Sequence, residues 1–247
     1  MKVFVINLKS SLDRKKYMED MLEEHRFDFE FIEAVDGRKI EDAEALFGVK
    51  SCERRYARRI LPGEIGCTLS HQICYKRIIK EDLQGALILE DDVRFIENIE
   101  RIIYSLEDIL NSNIPLVILL SGRYWYKGTK KKLEDGYTLK EVFDAFLTQA
   151  YLINNYGARL LLEDKPDFKA DDWYEFKKRG LKIYAVNPHV VEENSGKLFL
   201  STIAEENAML KGYIGRKTFI YFRELVKRMY RLVGHFEKEG GHNRDNY

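Results

Sequence analysis

At 247 residues, with 45% hydrophobic and 33% charged side chains, the chain has the balance of a folded globular protein and the length for one large domain with or without an appendage. Lys and Arg number 41 and so do Asp and Glu, which leaves no global field to draw the protein to nucleic acid. Three cysteines without framework spacing (Cys52, Cys67, Cys74) argue against a disulfide scaffold and for a reducing compartment. The apolar run Val3-Phe4-Val5-Ile6 is too short for a signal peptide, and nothing approaches the roughly 20 apolar residues of a membrane span. The expected location is cytoplasmic.

In chain order, residues 2–8 read as a buried strand, followed by a helix that Ser10 or Ser11 can cap, with Met18, Met21, Leu22 and His25 on one face. Residues 29–35 read as a second strand closed by the turn signal Asp36-Gly37, and this strand, helix, strand order predicts a mainly parallel sheet. The charge-rich stretch 38–61 has no clear period and reads as partly mobile. Pro62 opens a helix to about Asp82, with Ile65, Leu69 and Ile73 repeating on a face. Ala86 to Leu89 is a continuous apolar strand, and Glu90-Asp91-Asp92 stands at its C-terminal end. An amphipathic helix carrying Ile99, Ile102, Ile103, Leu106 and Leu110 follows, then a strand over 116–120. Residues 121–140, with Tyr124, Trp125 and Tyr126, read as a long polar loop of the kind used as binding lids. A strand over 147–153, a short helix over 155–164 and a strand over 182–186 complete the body, and a basic amphipathic helix is predicted from Thr218 to Lys238. These elements divide the chain into a body of residues 1–215 and a C-terminal helix with a frayed tail over 216–247.

Ligands of open α/β sheets collect beyond the carboxyl ends of the strands, where Glu90, Asp91 and Asp92 fall. Hard oxygen donors there suit Mg²⁺ or Mn²⁺; an acidic turn that caps the next helix is the competing reading.

Leu61-Pro62-Gly63-Glu64-Ile65-Gly66-Cys67-Thr68-Leu69-Ser70-His71, followed by Leu87-Ile88-Leu89-Glu90-Asp91-Asp92-Val93, resembles glycosyltransferase family 25, which holds bacterial lipooligosaccharide galactosyltransferases and is related to the collagen galactosyltransferases. Val5-Ile6-Asn7-Leu8, Asp13-Arg14, Ala34-Val35-Asp36-Gly37, Tyr151-Leu152-Ile153, Gly157-Ala158, Leu161-Leu162 and Ser201-Thr202 extend the resemblance over residues 2 to 203. It implies a GT-A-type nucleotide-binding α/β/α sandwich, a UDP-sugar donor (most often UDP-galactose), a divalent cation and inversion at the anomeric carbon. By the same resemblance Asp92 and Glu90 bind the metal, with His189 a further candidate ligand. Asn7, Ser70, His71, Glu90, Asp91, Ser201 and Thr202 are candidates for contact with the donor. Implied partners are the nucleotide sugar and a glycan or lipid-linked oligosaccharide acceptor. A UDP-glucose user on the same scaffold and a non-catalytic nucleotide-sugar-binding module are the alternatives.

Three further features each carry two readings. Cys67, His71 and Cys74 share a helical face and form a partial zinc set that only Cys52 could complete, or else the cysteines are packing residues and His71 a satisfied buried histidine. Asp171-Asp172-Trp173 precedes a short helix: one carboxylate would be the general base and the other the cap, with Asp172 favoured as base, Asp171 as cap and Trp173 as a sugar-stacking platform. The basic apolar stretch 216–238 suits either an anionic membrane surface or packing on the body.

Overall fold

A computed structural model of the chain describes residues 1–96, 99–194 and 237–239. The β-branched and aromatic run at the N-terminus is strand β1 (Lys2–Asn7), whose last five residues are all buried. Helix α1 (Leu12–Glu24) follows and lays Met18 and Leu22 on the sheet; Ser11 stands at its N-cap, without a side-chain capping bond. Strand β2 (Asp28–Glu33) pairs parallel with β1, Val3 opposite Phe29. The chain then crosses the opposite face through α2 (Ala43–Leu46), α3 (Val49–Tyr56) and α4 (Pro62–Lys80) to β3 (Gly85–Glu90), which pairs parallel with the other edge of β1. Successive crossovers therefore leave β1 in opposite directions, and the sheet has its switch point there.

Strand β4 (Val93–Phe95), α5 (Ile99–Leu110), β5 (Leu116–Leu119), β6 (Arg123–Lys132), β7 (Thr138–Phe146), β8 (Ala150–Asn154), α6 (Asn155–Leu160), α7 (Trp173–Lys178), β9 (Lys182–Asn187), β10 (Val191–Glu193) and β11 (Glu237–Glu239) follow. The main sheet has nine strands in the order β11-β6-β7-β9-β5-β8-β3-β1-β2, while β4 and β10 form a separate antiparallel ribbon. Strands β1, β2, β3, β5, β6 and β9 run one way and β7, β8 and β11 the other, so the sheet is mixed and mainly parallel in direction. Strand alternation divides the core in two. Val3, Val5, Leu87 and Leu89 meet α1 and the five-residue apolar stripe of α5, whereas Phe4, Ile6 and Ile88 meet Cys74, Tyr75 and Ile78 of α4 with Trp173 and Phe176 of α7. The architecture is the expected α/β/α sandwich.

Four sequence expectations need correction. Residues 38–61, expected to be partly mobile, contain α2 and α3. Fully buried Phe47 and Cys52 there join Ile60 and Ile65 in a third apolar cluster, and Asp42 caps α2 by accepting from Ala45 N at 3.0 Å. The buried face of α4 carries Ser70, His71, Cys74, Tyr75 and Ile78, and the expected Leu69 and Ile73 are only half-buried at its margin. Residues 121–140 are no lid: β6 and β7 make an antiparallel hairpin. Its aromatic base is buried, with Tyr124 donating to Val186 O at 2.9 Å and Trp125 edge-on to Phe146, while Lys130, Lys131 and Lys132 stand in solvent. The polar composition belongs to the outer half of a strand pair.

Glu237 and Lys238, expected to end a helix, lie in β11 against Tyr126 and Trp125. The rest of that predicted helix, and Ser201 and Thr202, lie outside the described residues. No helix among the described residues is long and apolar enough to cross a membrane.

Candidate active site at the sheet switch point

The carboxyl ends of β1, β2 and β3 open into a cavity of about 190 Å³, walled by Ile6, Leu8 and Arg14, by residues 34–38, by Gly63, Cys67, Ser70 and His71 of α4, and by Glu90, Asp91 and Asp92. Its far wall depends on two glycines. A Cβ on Gly37 would stand 1.7 Å from Pro62 O, and one on Gly66 would stand 2.4 Å from Val35 O, so bare backbone lets α4 press against the turn after β2. Ser70 fastens the contact: its hydroxyl accepts from Val35 N at 2.8 Å and donates to Gly66 O at 2.6 Å. Pro62 begins the helix and Glu64 accepts from Leu61 N at 3.0 Å while pairing with Arg58 at 2.5 Å. The Leu61-to-His71 motif is thus largely the architecture of this wall.

The acidic triplet is held differently at each position. Asp91 accepts from Asn7 Nδ2 at 2.7 Å and from Arg14 Nη1 at 2.9 Å; burial pushes its carboxyl up from the usual carboxylate range, and Arg14 and Asn7 oppose that. Asn7 does not line the cavity and serves the site through Asp91. Glu90 accepts from Thr148 Oγ1 at 2.5 Å, and its Oε1 lies 3.5 Å from His71 Nε2. Asp92 reaches Arg14 only at 3.9 Å, and its Oδ1 is buried with no hydrogen-bond partner. Burial first, then the charges of Glu90 and Asp91, push the Asp92 carboxyl up to about 8, with Arg14 acting the other way. Asp91 and Asp92 flank Arg14, and the buried Oδ1 of Asp92, which has no hydrogen-bond partner, is an oxygen donor that would fit a hard divalent ion.

His71 is 1% exposed, its Nδ1 lies 2.7 Å from Tyr151 OH, and Tyr151 OH is 2.8 Å from Tyr75 OH. Among the described residues, the group of His, Cys, Asp and Glu placed to hold a metal is Cys67, His71 and Glu90, whose donor atoms all lie within 4.8 Å of one another. The zinc set drawn from the sequence does not assemble, because Cys74 faces the core beside Tyr75 and Cys52 belongs to the cluster around Phe47. His189 is buried with its ring 5.2 Å from that of Tyr124, and it does not line the cavity.

Of the two aspartates before α7, Asp172 and not Asp171 takes the capping position. Asp172, 2% exposed, is the cap: it accepts from Glu175 N at 3.5 Å and from the Tyr56 hydroxyl. Asp171 is more open and pairs with Lys169 Nζ at 3.1 Å. Its charge reaches Cys67, whose thiol is pushed well above its usual range by burial first and by Glu90 and Asp171 next. Trp173 is no platform; it is fully buried, edge-on to Tyr151 and Phe176, and donates to Leu147 O at 2.8 Å. Arg14 and Thr148 were not among the site residues expected from the sequence. Arg14 was findable, since the first turn after β1 must border the crevice, whereas Thr148 stands 58 residues from its partner with no local signal.

A three-layer α/β fold with a carboxylate-lined cavity at its switch point places a ligand crevice above the ends of β1 and β3. A model of glycosyltransferase family 25, described as an LPS biosynthesis protein, matches residues 1–172, and the chain belongs to that family. It is 32% identical over 174 residues to procollagen galactosyltransferase 2 of Mus musculus, a match covering 66% of this chain and 28% of that protein. A glycosyltransferase 25 family member of Aedes aegypti is 30% identical over 177 residues, covering 66% and 28%. A probable inactive glycosyltransferase 25 family member 3 of Bos taurus is 30% identical over 171 residues, covering 66% and 29%. The match therefore spans less than a third of these relatives. Among solved structures, a glycosyltransferase involved in glycosylating the major capsid of PBCV-1 aligns over 85% of this chain and 98% of its own, at 10% identity and a TM-score of 0.38.

Proposed function

We propose that the protein is an inverting, Mn²⁺- or Mg²⁺-dependent hexosyltransferase that moves galactose from UDP-galactose to a lipooligosaccharide or related surface glycan. The observation that carries this reading is the orphaned, buried Oδ1 of Asp92, whose carboxylate reaches Arg14 only at 3.9 Å. The family and the galactosyltransferase names of its relatives support the donor, and the LPS description of the family supports the acceptor class. A divalent ion there supplies Lewis-acid stabilisation of the charge that grows on the departing diphosphate. The chain's own part is to aim the carboxylates: Asn7 and Arg14 fix Asp91, Thr148 fixes Glu90, and Asp92 keeps an oxygen open. On the acceptor side Asp171 is the base in this reading: it is the more open of the two aspartates before α7 and is held by Lys169 Nζ at 3.1 Å. The enzyme works on the cytoplasmic side of the membrane that carries its acceptor, and the basic residues of 216–238 are its contact with that surface.

Incubation with a panel of UDP-sugars and Mn²⁺, with and without galactoside, glucoside and N-acetylglucosaminide acceptors, tests the reading by UDP release. Acceptor-dependent release highest with UDP-galactose is expected. Preference for UDP-glucose reassigns the donor. Donor binding without transfer to any acceptor favours the non-catalytic alternative, the state that the name of the Bos taurus relative describes for that protein.

A further inference from the structure

We propose that Cys67, His71 and Glu90 form a second cation site, selective for a thiophilic divalent ion such as Zn²⁺ and different in chemistry from the oxygen site around Asp92, with which it shares the Glu90 carboxylate. Cys67 and His71 are one helical turn apart on α4 and point the same way, and Glu90 closes the group from the end of β3. The three donors are a sulfur, an imidazole nitrogen and a carboxylate oxygen, a mixed set that suits zinc better than manganese or magnesium. Their spacing fits as well. Zinc bonds of roughly 2.0–2.3 Å place tetrahedral donors roughly 3.3–3.7 Å apart. His71 Nε2 and Glu90 Oε1 are already 3.5 Å apart, and the sulfur lies within 4.8 Å of both.

The imidazole provides an independent observation. His71 is 1% exposed, yet its Nε2 has no hydrogen-bond partner, and it is aimed at the carboxylate of Glu90. A buried polar atom left so is unfavourable unless something occupies the space before it. Both outer ligands are also oriented from behind, as metal ligands usually are. Tyr151, itself met by Tyr75, holds the Nδ1 side of the ring, and Thr148 donates to the same Glu90 oxygen that faces His71. Cys67 and Glu90 both line the cavity, which gives an ion an entry path and an open coordination position.

Cd²⁺ titration of the full chain, read by its thiolate charge-transfer absorption, tests the site without reference to glycosyl transfer. Wild type is expected to develop the band at one equivalent and to lose it on addition of Zn²⁺. Cys67→Ser should abolish the band and weaken Zn²⁺ binding by at least about tenfold, whereas Asp92→Asn should keep it. Zn²⁺ should also protect Cys67 of the wild-type protein from alkylation, located by mass spectrometry, a readout that needs no variant to fold. The proposal is overturned by a band that survives Cys67→Ser, by loss of the band in folded Asp92→Asn, or by alkylation of Cys67 at the same rate with and without Zn²⁺. Failure here leaves the UDP-sugar assay untouched, and failure there leaves this site standing.

Discussion

Asn7 Nδ2 donates to Asp91 Oδ2 at 2.7 Å, a buried bond that ties the last residue of β1 to the turn after β3, 84 positions away. It closes the switch point across β1 and β3, two of the three strands whose ends make the crevice. Asn7→Ala leaves a buried carboxylate one donor short, so the expected loss is about 1–3 kcal/mol of unfolding free energy. Urea denaturation measures it directly. A midpoint equal to wild type would show that Arg14 alone holds Asp91.

Gly66 is the next point of leverage. A methyl group there would meet Val35 O at 2.4 Å and Gly37 N at 2.7 Å, both backbone atoms that cannot rotate aside. Gly66→Ala should therefore push α4 off the turn after β2, break the Ser70 link and destabilise the protein by about 1–3 kcal/mol. Thermal unfolding and donor affinity should fall together, because the same wall bounds the cavity. A variant with wild-type melting temperature would mean that the wall yields freely.

Much of this was legible in the sequence where the signal is local. The run of β1, the stripe of α5 and the placement of Glu90, Asp91 and Asp92 after an apolar strand each need only a few adjacent residues. The rest depends on partners distant in the chain. Nothing near Tyr124 and Trp125 says that they cover a sheet rather than a ligand, because an aromatic on a strand and an aromatic in a lid look alike without the facing residues Val186 and Phe146. Trp173 failed for the same reason: its partners Leu147 and Tyr151 decide whether it is buried. The capping position of Asp172 is fixed with help from Tyr56, 116 residues away and in a stretch that carried no readable period.

The aspartate pair supplies the third prediction. Asp172 caps α7 and accepts from Tyr56, whose hydroxyl is held well above its usual acidity range by burial first and by Asp172 next. Asp172→Ala should lose about 1–3 kcal/mol of stability, from the cap and from the stranded tyrosine hydroxyl. Asp171→Asn should leave the melting temperature near wild type and keep donor binding, but lower sugar transfer by roughly a hundred- to ten-thousandfold if it is the base. Unfolding curves and transfer rates on both variants check this. A stable, inactive Asp172 variant beside an active Asp171 variant would restore the order read from the sequence.

The last prediction joins metal and pH through Asp92. Its carboxyl is pushed up to about 8 by burial and by Glu90 and Asp91, against a usual value of about 3.9 in an unfolded chain. The sign follows from proton counting. Between those two values the folded, metal-free protein holds a proton that the unfolded chain has released, so this group's contribution to stability is lost as pH rises from about 4 through about 8. A divalent ion needs the carboxylate, so below about 8 it must displace that proton, and its affinity should fall by up to about tenfold per pH unit. The rise in melting temperature caused by Mn²⁺ over chelator should accordingly be small at pH 6 and grow until it levels off above pH 8. Asp92→Asn removes the titrating group and an open ligand together. It should flatten the metal-free pH dependence, erase the Mn²⁺ response and reduce turnover by at least about a hundredfold while leaving the fold intact. Melting curves at pH 6, 7, 8 and 9, with Mn²⁺ or chelator, read all of this in one series. An Mn²⁺ increment that is equal at every pH, or that survives in Asp92→Asn, would remove Asp92 from the metal site.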